Sequence, residues 1–389
     1  PSPNPDLARG RRQRFDRACV PSLNSGVRIA AGLPFQGRIV ALVSRPMSRD
    51  QNRPLFASRR SLLAGALAAT TLAACGRVEA PVDEEGRVRL RFATDWHARA
   101  AHGGFYQALA GGAYARRGLN VQIIQGRPDV DVPQLLAAGT VELGMGSDSF
   151  IPLNLVAEGA PVKAVAAFFQ KDPRALIAHP DSGLKSIADL KDRPFMLTDT
   201  AAATFWVWLR ARYDFSDDQL RPYEFDPAPF IADPRAVQQG YLGTDAYSIE
   251  QQAHFTPRTL LLADEDYPSY ASMVLAPNAF ARDNATALRS FIAASAEGWR
   301  DYIHGDARAA DVLIRRDNPQ MSQAELNHDR QSLKDNGIVD GGDAALYGLG
   351  TMTDDRWRAF FETMSEAAVY PATLNWREAF TTQYLPGRG

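Results

Sequence analysis

Between Val88 and Phe169 short strand-like stretches take turns with stretches of helical spacing, and this alternation is what most narrows the folds open to the chain. Val88-Arg89-Leu90-Arg91-Phe92-Ala93 alternates apolar and charged residues, the two-residue period of a half-buried strand. Residues 102–117 carry Phe105, Leu109 and Tyr114 at near-helical spacing, and Gly118 follows as a residue that readily ends a helix. Residues 120–125 are strand-like again. A helix ending near Gly139, a strand at 141–145, a helix at 150–158 and an apolar strand at 162–169 are expected next. Strand and helix in turn imply a mostly parallel sheet flanked by helices.

A second unit starts near Asp181. Ser186 is placed to cap a short helix, residues 194–197 read as a strand running into Thr198-Asp199-Thr200, and 202–213 as a helix. Strand-like pieces at 223–225, 238–242 and 259–262 complete a smaller lobe, and 271–276 reads as a return crossing. From 284 to 302, Leu288, Phe291, Ile292, Ser295 and Trp299 mark a long amphipathic helix, with further helices after it. The expected fold is therefore α/β with two lobes: residues 87–180 and 268–389, with extra C-terminal helices, form the first lobe, and 181–267 form the second. Such a hinged pair has a cleft at its strand ends, where open α/β sheets bind ligands.

Composition excludes several functions. A formal net charge of -2 lacks the basic footprint that nucleic-acid binding needs, so no nucleic acid is expected as a partner. The six histidines show no metal-ligand spacing such as HExxH, and no metal is expected. Cys19 and Cys75 are the two cysteines, which leaves no disulfide framework after Cys75.

The segment before the first strand reads as an export signal. Ser58-Arg59-Arg60-Ser61-Leu62-Leu63 leads into a small, apolar run at 64–74 and then Cys75. That run is shorter than the roughly 20 residues a bilayer core demands, so a signal peptide over 47–75 is expected rather than a spanning helix. Mild hydrophobicity behind Arg59 and Arg60 suits the Tat route. Leu72-Ala73-Ala74-Cys75 has the form of a lipobox, in which the Cys75 thiol takes a diacylglyceryl group. A tether at 76–86 and a periplasmic protein anchored to a membrane by its lipid follow as expectations. Residues 1–46 mix Pro, Arg, Ser and Gly without a sustained period and are expected to be a doubtful or disordered extension that adds no function.

Phe92-Ala93-Thr94-Asp95-Trp96, His102-Gly103-Gly104-Phe105-Tyr106, Arg117-Gly118-Leu119-Asn120-Val121, Leu135-Leu136-Ala137-Ala138-Gly139 and Gly144-Met145-Gly146-Ser147 come in the order seen in SsuA/THI5-like (NMT1-like) proteins. The chain resembles that family from about Val88 to Tyr302. It is most similar to the branch that binds thiamine pyrimidine precursors. The resemblance implies a type II periplasmic binding protein of an ABC importer. Such a protein works as a monomer without a cofactor and hands a small planar heterocycle to a permease and its ATPase. A thiamine pyrimidine precursor is the favoured ligand, with riboflavin, sulfonate or nitrate as other classes. The superfamily also holds a thiamine pyrimidine synthase that uses pyridoxal phosphate, iron and its own histidine. Its cofactor lysine would fall at Gly146 and its histidine at Phe150, so neither a Schiff base nor a ring donor is available and no catalytic residue is expected.

Candidate ligand contacts follow. Trp96, just past the first strand, either stacks on a flat ring or packs between lobes. Asp95 and His102 bracket the same loop, with His102 alternatively capping the next helix. The run through Ser147, Asp148 and Ser149 is read as a loop whose amides could cradle a polar atom, or as an ordinary helix cap. Thr198, Thr200 and Thr204, with Phe205 and Trp206, sit at a strand-to-helix junction, where at least one of the two aromatics belongs to the core. On the next crossing Tyr241, Asp245 and Tyr247 offer an acid and two rings, and Asp245 either accepts from an amidine or caps a helix.

Overall fold

The computed structural model describes residues 78–127, 130–180 and 183–386; Cys75, Arg59, Arg60 and the expected signal peptide and extension lie outside the described residues. Ten strands are found among the described residues: β1 Val88–Ala93, β2 Leu119–Ile124, β3 Leu143–Asp148, β4 Val162–Phe169, β5 Arg174–Ala178, β6 Phe195–Leu197, β7 Leu220–Pro222, β8 Val237–Tyr241, β9 Arg258–Leu261 and β10 Ala271–Pro277. They form two five-stranded sheets, in the orders β2-β1-β3-β10-β4 and β7-β6-β8-β5-β9. In the first, β1 lies parallel to β2 and β3 while β10 runs antiparallel to β3 and β4. The second repeats the pattern, with β6 parallel to β7 and β8 and β5 antiparallel to β8 and β9. Each sheet is thus mostly parallel with one reversed strand, and each reversed strand is the one reached by a crossing from the other sheet. Arg174–Ala178, inside the span 87–180 expected for the first lobe, pairs in the second sheet.

The glycines of His102-Gly103-Gly104 have a packing reason. The helix Gly103–Ala110 lies against the 20-residue helix Ala285–His304 so closely that a Cβ on Gly104 would sit 2.1 Å from the Trp299 ring, and one on Gly103 2.1 Å from the Tyr302 ring. Gly298 answers from the other side, where a Cβ would meet the Gly104 carbonyl at 2.2 Å. Around this contact Phe92, Phe105, Phe168, Phe291 and Trp299 are fully buried and meet edge-on or offset, the arrangements aromatic quadrupoles favour. The expected helix 102–117 breaks at Gly111-Gly112, where Gly112 adopts a positive φ, and resumes as a single turn before Gly118.

A buried ionic knot ties the two crossings. Arg174, first residue of β5, donates to Asp148 at the end of β3 (2.7 Å) and to Asp172 in the connection itself (2.8 Å). The Ser149 hydroxyl accepts from the backbone of Tyr270, just before β10, at 2.9 Å. Burial pushes the Asp172 carboxyl up, while the two carboxylates beside Arg174 outweigh its burial and raise that guanidinium further. Breaking either pair would strand a buried charge, so the hinge region is fixed by paired ions.

Candidate functional site

A cleft of about 420 Å³ opens between the two sheets and is walled by both lobes. Asp95, Trp96, Arg99 and Ser147 come from the ends of β1 and β3; Thr198, Thr200, Thr204, Phe205, Tyr223, Phe225, Gln239, Tyr241 and Asp245 come from the second lobe; Arg174 lies between them. Strand ends feed it from both sides, as open α/β sheets allow.

Asp95 is the fixed point of the first-lobe wall. His102, fully buried behind it, donates from Nε2 to Asp95 Oδ1 at 2.9 Å. Burial lowers the imidazole's basicity, so we assign the neutral ring carrying its proton on Nε2, with Nδ1 left without a partner. Burial of Asp95 would raise its carboxyl, but the bonds from His102 and Ser147 and the charge of Arg99 outweigh it and hold the group below the ordinary carboxylate range. Asp95 is therefore a preorganised anion at neutral pH.

Arg99 lies with its guanidinium carbon 4.4 Å from the centre of the Tyr241 ring, a cation-π contact across the lobes, and its buried Nε has no hydrogen-bond partner. Asp245 opposes it. That carboxylate accepts from the Tyr241 amide at 2.6 Å, and burial raises its pKa against the pull of Arg99. Thr198 caps the short turn Asp199–Ala202 through the Ala201 amide at 3.2 Å, while its own amide donates to the Gln239 side chain at 2.7 Å. Thr204 donates to the Thr200 carbonyl at 2.7 Å and so offers the cleft only an acceptor.

Eight of the expected contact residues meet in this cleft: Asp95, Trp96, Ser147, Thr198, Thr200, Thr204, Tyr241 and Asp245. Four do not. His102 stands behind Asp95 and orients it. Asp148 caps the helix Phe150–Ala157 through the Phe150 amide at 2.9 Å and binds Arg174. Ser149 is buried and spent on Ser269 and Tyr270. Tyr247 turns out of the cleft onto His328, with ring centres 4.8 Å apart. The cradle expected at 144–149 is also absent, because residues 144–148 belong to β3 and pair with β10. Gly144 is small because Val132 and Leu136 cover it. Trp206 belongs to the core, packed on Phe195 and Phe215, whereas Phe205 reaches the cleft wall.

Sequence reading missed Arg99, Arg174, Tyr223, Phe225 and Gln239. For Arg99 a signal existed, three residues past Trp96 in the same loop. Phe225 gave none, since it looks like a strand residue.

A family model described as NMT1/THI5 like matches residues 99–309. The riboflavin-binding protein RibY of Chloroflexus aurantiacus is 25% identical over 291 residues, covering 73% of this chain and 82% of that protein. A formylaminopyrimidine-binding protein of Halalkalibacterium halodurans is 24% identical over 268 residues, covering 64% of this chain and 76% of its own length. Among solved structures, the periplasmic sulfonate-binding protein SsuA from Methylobacillus flagellatus KT superposes with a TM-score of 0.54 at 12% identity, covering 77% of this chain and 93% of that one. At that identity the likeness speaks for the fold alone, the two-lobed architecture of periplasmic binding proteins.

Proposed function

Since this chain belongs to the NMT1/THI5-like family, we propose that it is the substrate-binding protein of an ABC importer, closing on a small planar nitrogen heterocycle and handing it to a membrane permease. The observation that carries this reading is the make-up of the cleft. Trp96 on one lobe and Tyr223 and Phe225 on the other line it with aromatic rings, while Asp95, Arg99 and Asp245 bring charged groups to the same space. Aromatic rings select flat ligands, and charges set among them select a ring edge with polar nitrogens. The relatives named for riboflavin and formylaminopyrimidine fit that class, both ligands being flat rings with nitrogen-bearing edges.

Within the class we favour a thiamine-type aminopyrimidine, because Asp245 keeps one carboxylate oxygen for an exocyclic amine after accepting from Tyr241. Riboflavin is the second reading, favoured by the size of the cleft and the aromatic rings that line it. Sulfonate or nitrate fits less well. Arg174 is already matched by Asp148 and Asp172, and Arg99 lies among Asp95, Asp245 and Asp329. Binding rather than pyrimidine synthesis is supported by two positions. Gly146 lies against Leu275, and Phe150 packs on Phe360 and Tyr370, where the synthase would need an amine and an imidazole.

Isothermal titration with a formylaminopyrimidine and with riboflavin tests the reading, and silence toward both would sink it. Asp245→Asn is expected to weaken aminopyrimidine binding by about tenfold or more, the value of a hydrogen bond to a charged group, with little change in melting temperature. Export and anchoring are proposed on Cys75. A Cys75→Ala variant should leave the membrane fraction for the soluble periplasmic one, and a variant that stays membrane-bound would remove the lipid from the account.

A further inference from the structure

Phe225 stands out on three counts that have no common structural explanation. Its φ is 62°, a left-handed backbone that a bulky aromatic rarely adopts. The residue is 61% exposed, so burial does little to offset that strain. Yet its ring lies 5.6 Å from Trp96 and 5.5 Å from Tyr223, each at a tilt. Trp96 follows β1 of the first sheet and Phe225 follows β7 of the second, so the contact spans the cleft mouth from lobe to lobe.

The turn that carries Phe225 is itself fastened. Asp226 accepts from the Ala228 amide at 2.9 Å, and Pro227 restricts the residue before it. Strain held in place by the surrounding chain, at a residue that gains little from burial, marks a position kept for what its side chain touches. Here that is Trp96.

We propose that Phe225 is an aromatic latch of the cleft. Its ring meets Trp96 across the cleft mouth, and a flat ligand enters by parting the two rings and stacking between them. At the spacing of the present contact no ring fits between Trp96 and Phe225; a sandwich needs the two centres about 7 Å apart, two ordinary stacking distances. A small rotation about the crossings supplies that. The latch thus selects for a ligand with two bare aromatic faces, and an aliphatic anion gains nothing from it. This rests on the reading of the cleft as a site for planar heterocycles, and sharpens it by naming the residue that discriminates flat from non-flat ligands.

Phe225→Gly and Phe225→Leu in the full chain test the proposal, with riboflavin and a formylaminopyrimidine as probes and dissociation followed by stopped flow. Glycine removes both the ring and the backbone strain, so its unliganded melting temperature should hold or rise by about one or two degrees. Affinity for the better-bound flat probe should fall about tenfold, chiefly through faster dissociation. Leucine, which keeps apolar bulk without a ring face, should lose affinity as well. Flat-ligand affinity within about twofold of wild type in both variants would overturn the latch while leaving the heterocycle reading intact. A Phe225→Gly melting temperature lower by more than about 4 °C would also overturn it, by showing that the ring serves packing. A wild-type protein that binds neither probe would overturn both.

Discussion

Gly298→Ala will destabilise the protein by about 3 kcal/mol or more, although the same substitution on an exposed helix face would stabilise it by about 1 kcal/mol. Gly298 lies inside the helix Ala285–His304, where alanine is the better helix former. The added methyl would sit 2.2 Å from the Gly104 carbonyl oxygen and 2.7 Å from the Ala108 Cβ. A backbone oxygen cannot turn aside as a side chain can, so the helix Gly103–Ala110 must move. Behind it, Phe105 is fully buried against Phe92, Phe168, Phe291 and Trp299, in a core too dense to absorb the shift. The displaced helix also begins next to His102, which holds Asp95 in the cleft. Ligand affinity should therefore fall along with stability. Denaturant midpoints of the two proteins check this, and a midpoint equal to or above wild type would show that the helices are not in backbone contact.

Much of the fold could be read from local pattern. β1 and β2 announce themselves by alternation, and the helix Ala285–His304 by Leu288, Phe291, Ile292, Ser295 and Trp299, all of them buried. β5 could not be placed this way. Its five residues follow Asp172-Pro173, but the sheet they join depends on β8 and β9, far along the chain. β3 runs on through Ser147 and Asp148, past the point where its apolar residues end, because β10 continues to pair with it. The site divides likewise. Trp96, Thr198 and Asp245 follow strand ends, and any α/β lobe turns strand ends toward its cleft. Tyr247 shares a short segment with Asp245 but lies two residues on, and a helix rotates such a neighbour to another face. His102 shows a further limit, since sequence places it at the end of the loop that Asp95 begins and cannot tell the wall of the cleft from the support behind it.

Asp329→Asn is expected to gain stability over wild type as the pH rises, with the whole gain reached near neutrality. Asp329 sits in the helix Gln323–Asp335, only 3% exposed, and accepts from the Thr244 hydroxyl at 2.8 Å while its other oxygen has no partner. Gly243, with φ 86°, lets the second-lobe chain come this close; a Cβ there would meet that free oxygen at 2.8 Å. Burial raises the carboxyl to about 7, helped by the charges of Glu325 and Asp245 and resisted by the Thr244 bond and by Arg99. His328 is its neighbour in sequence and packs on Tyr247 of the second-lobe helix. The sign follows from linkage. Between the ordinary value of 3.8 and about 7 the folded protein holds a proton that the unfolded chain has lost, so stability falls as pH rises through that window and is level above it. The full swing is about 4 kcal/mol. Asparagine keeps an acceptor for Thr244 without a charge, and its stability should lack this slope. Urea unfolding at intervals from pH 4 to pH 8 reads the difference directly, and parallel curves would mean that Asp329 is ionised throughout. The same proton bears on binding. Thr244 opens the helix that carries Asp245, and the charge of Asp245 helps keep Asp329 protonated, so ionising Asp329 places a second negative charge near that carboxylate. Ligand affinity in wild type should consequently change across neutral pH, and in Asp329→Asn that part of the change should vanish.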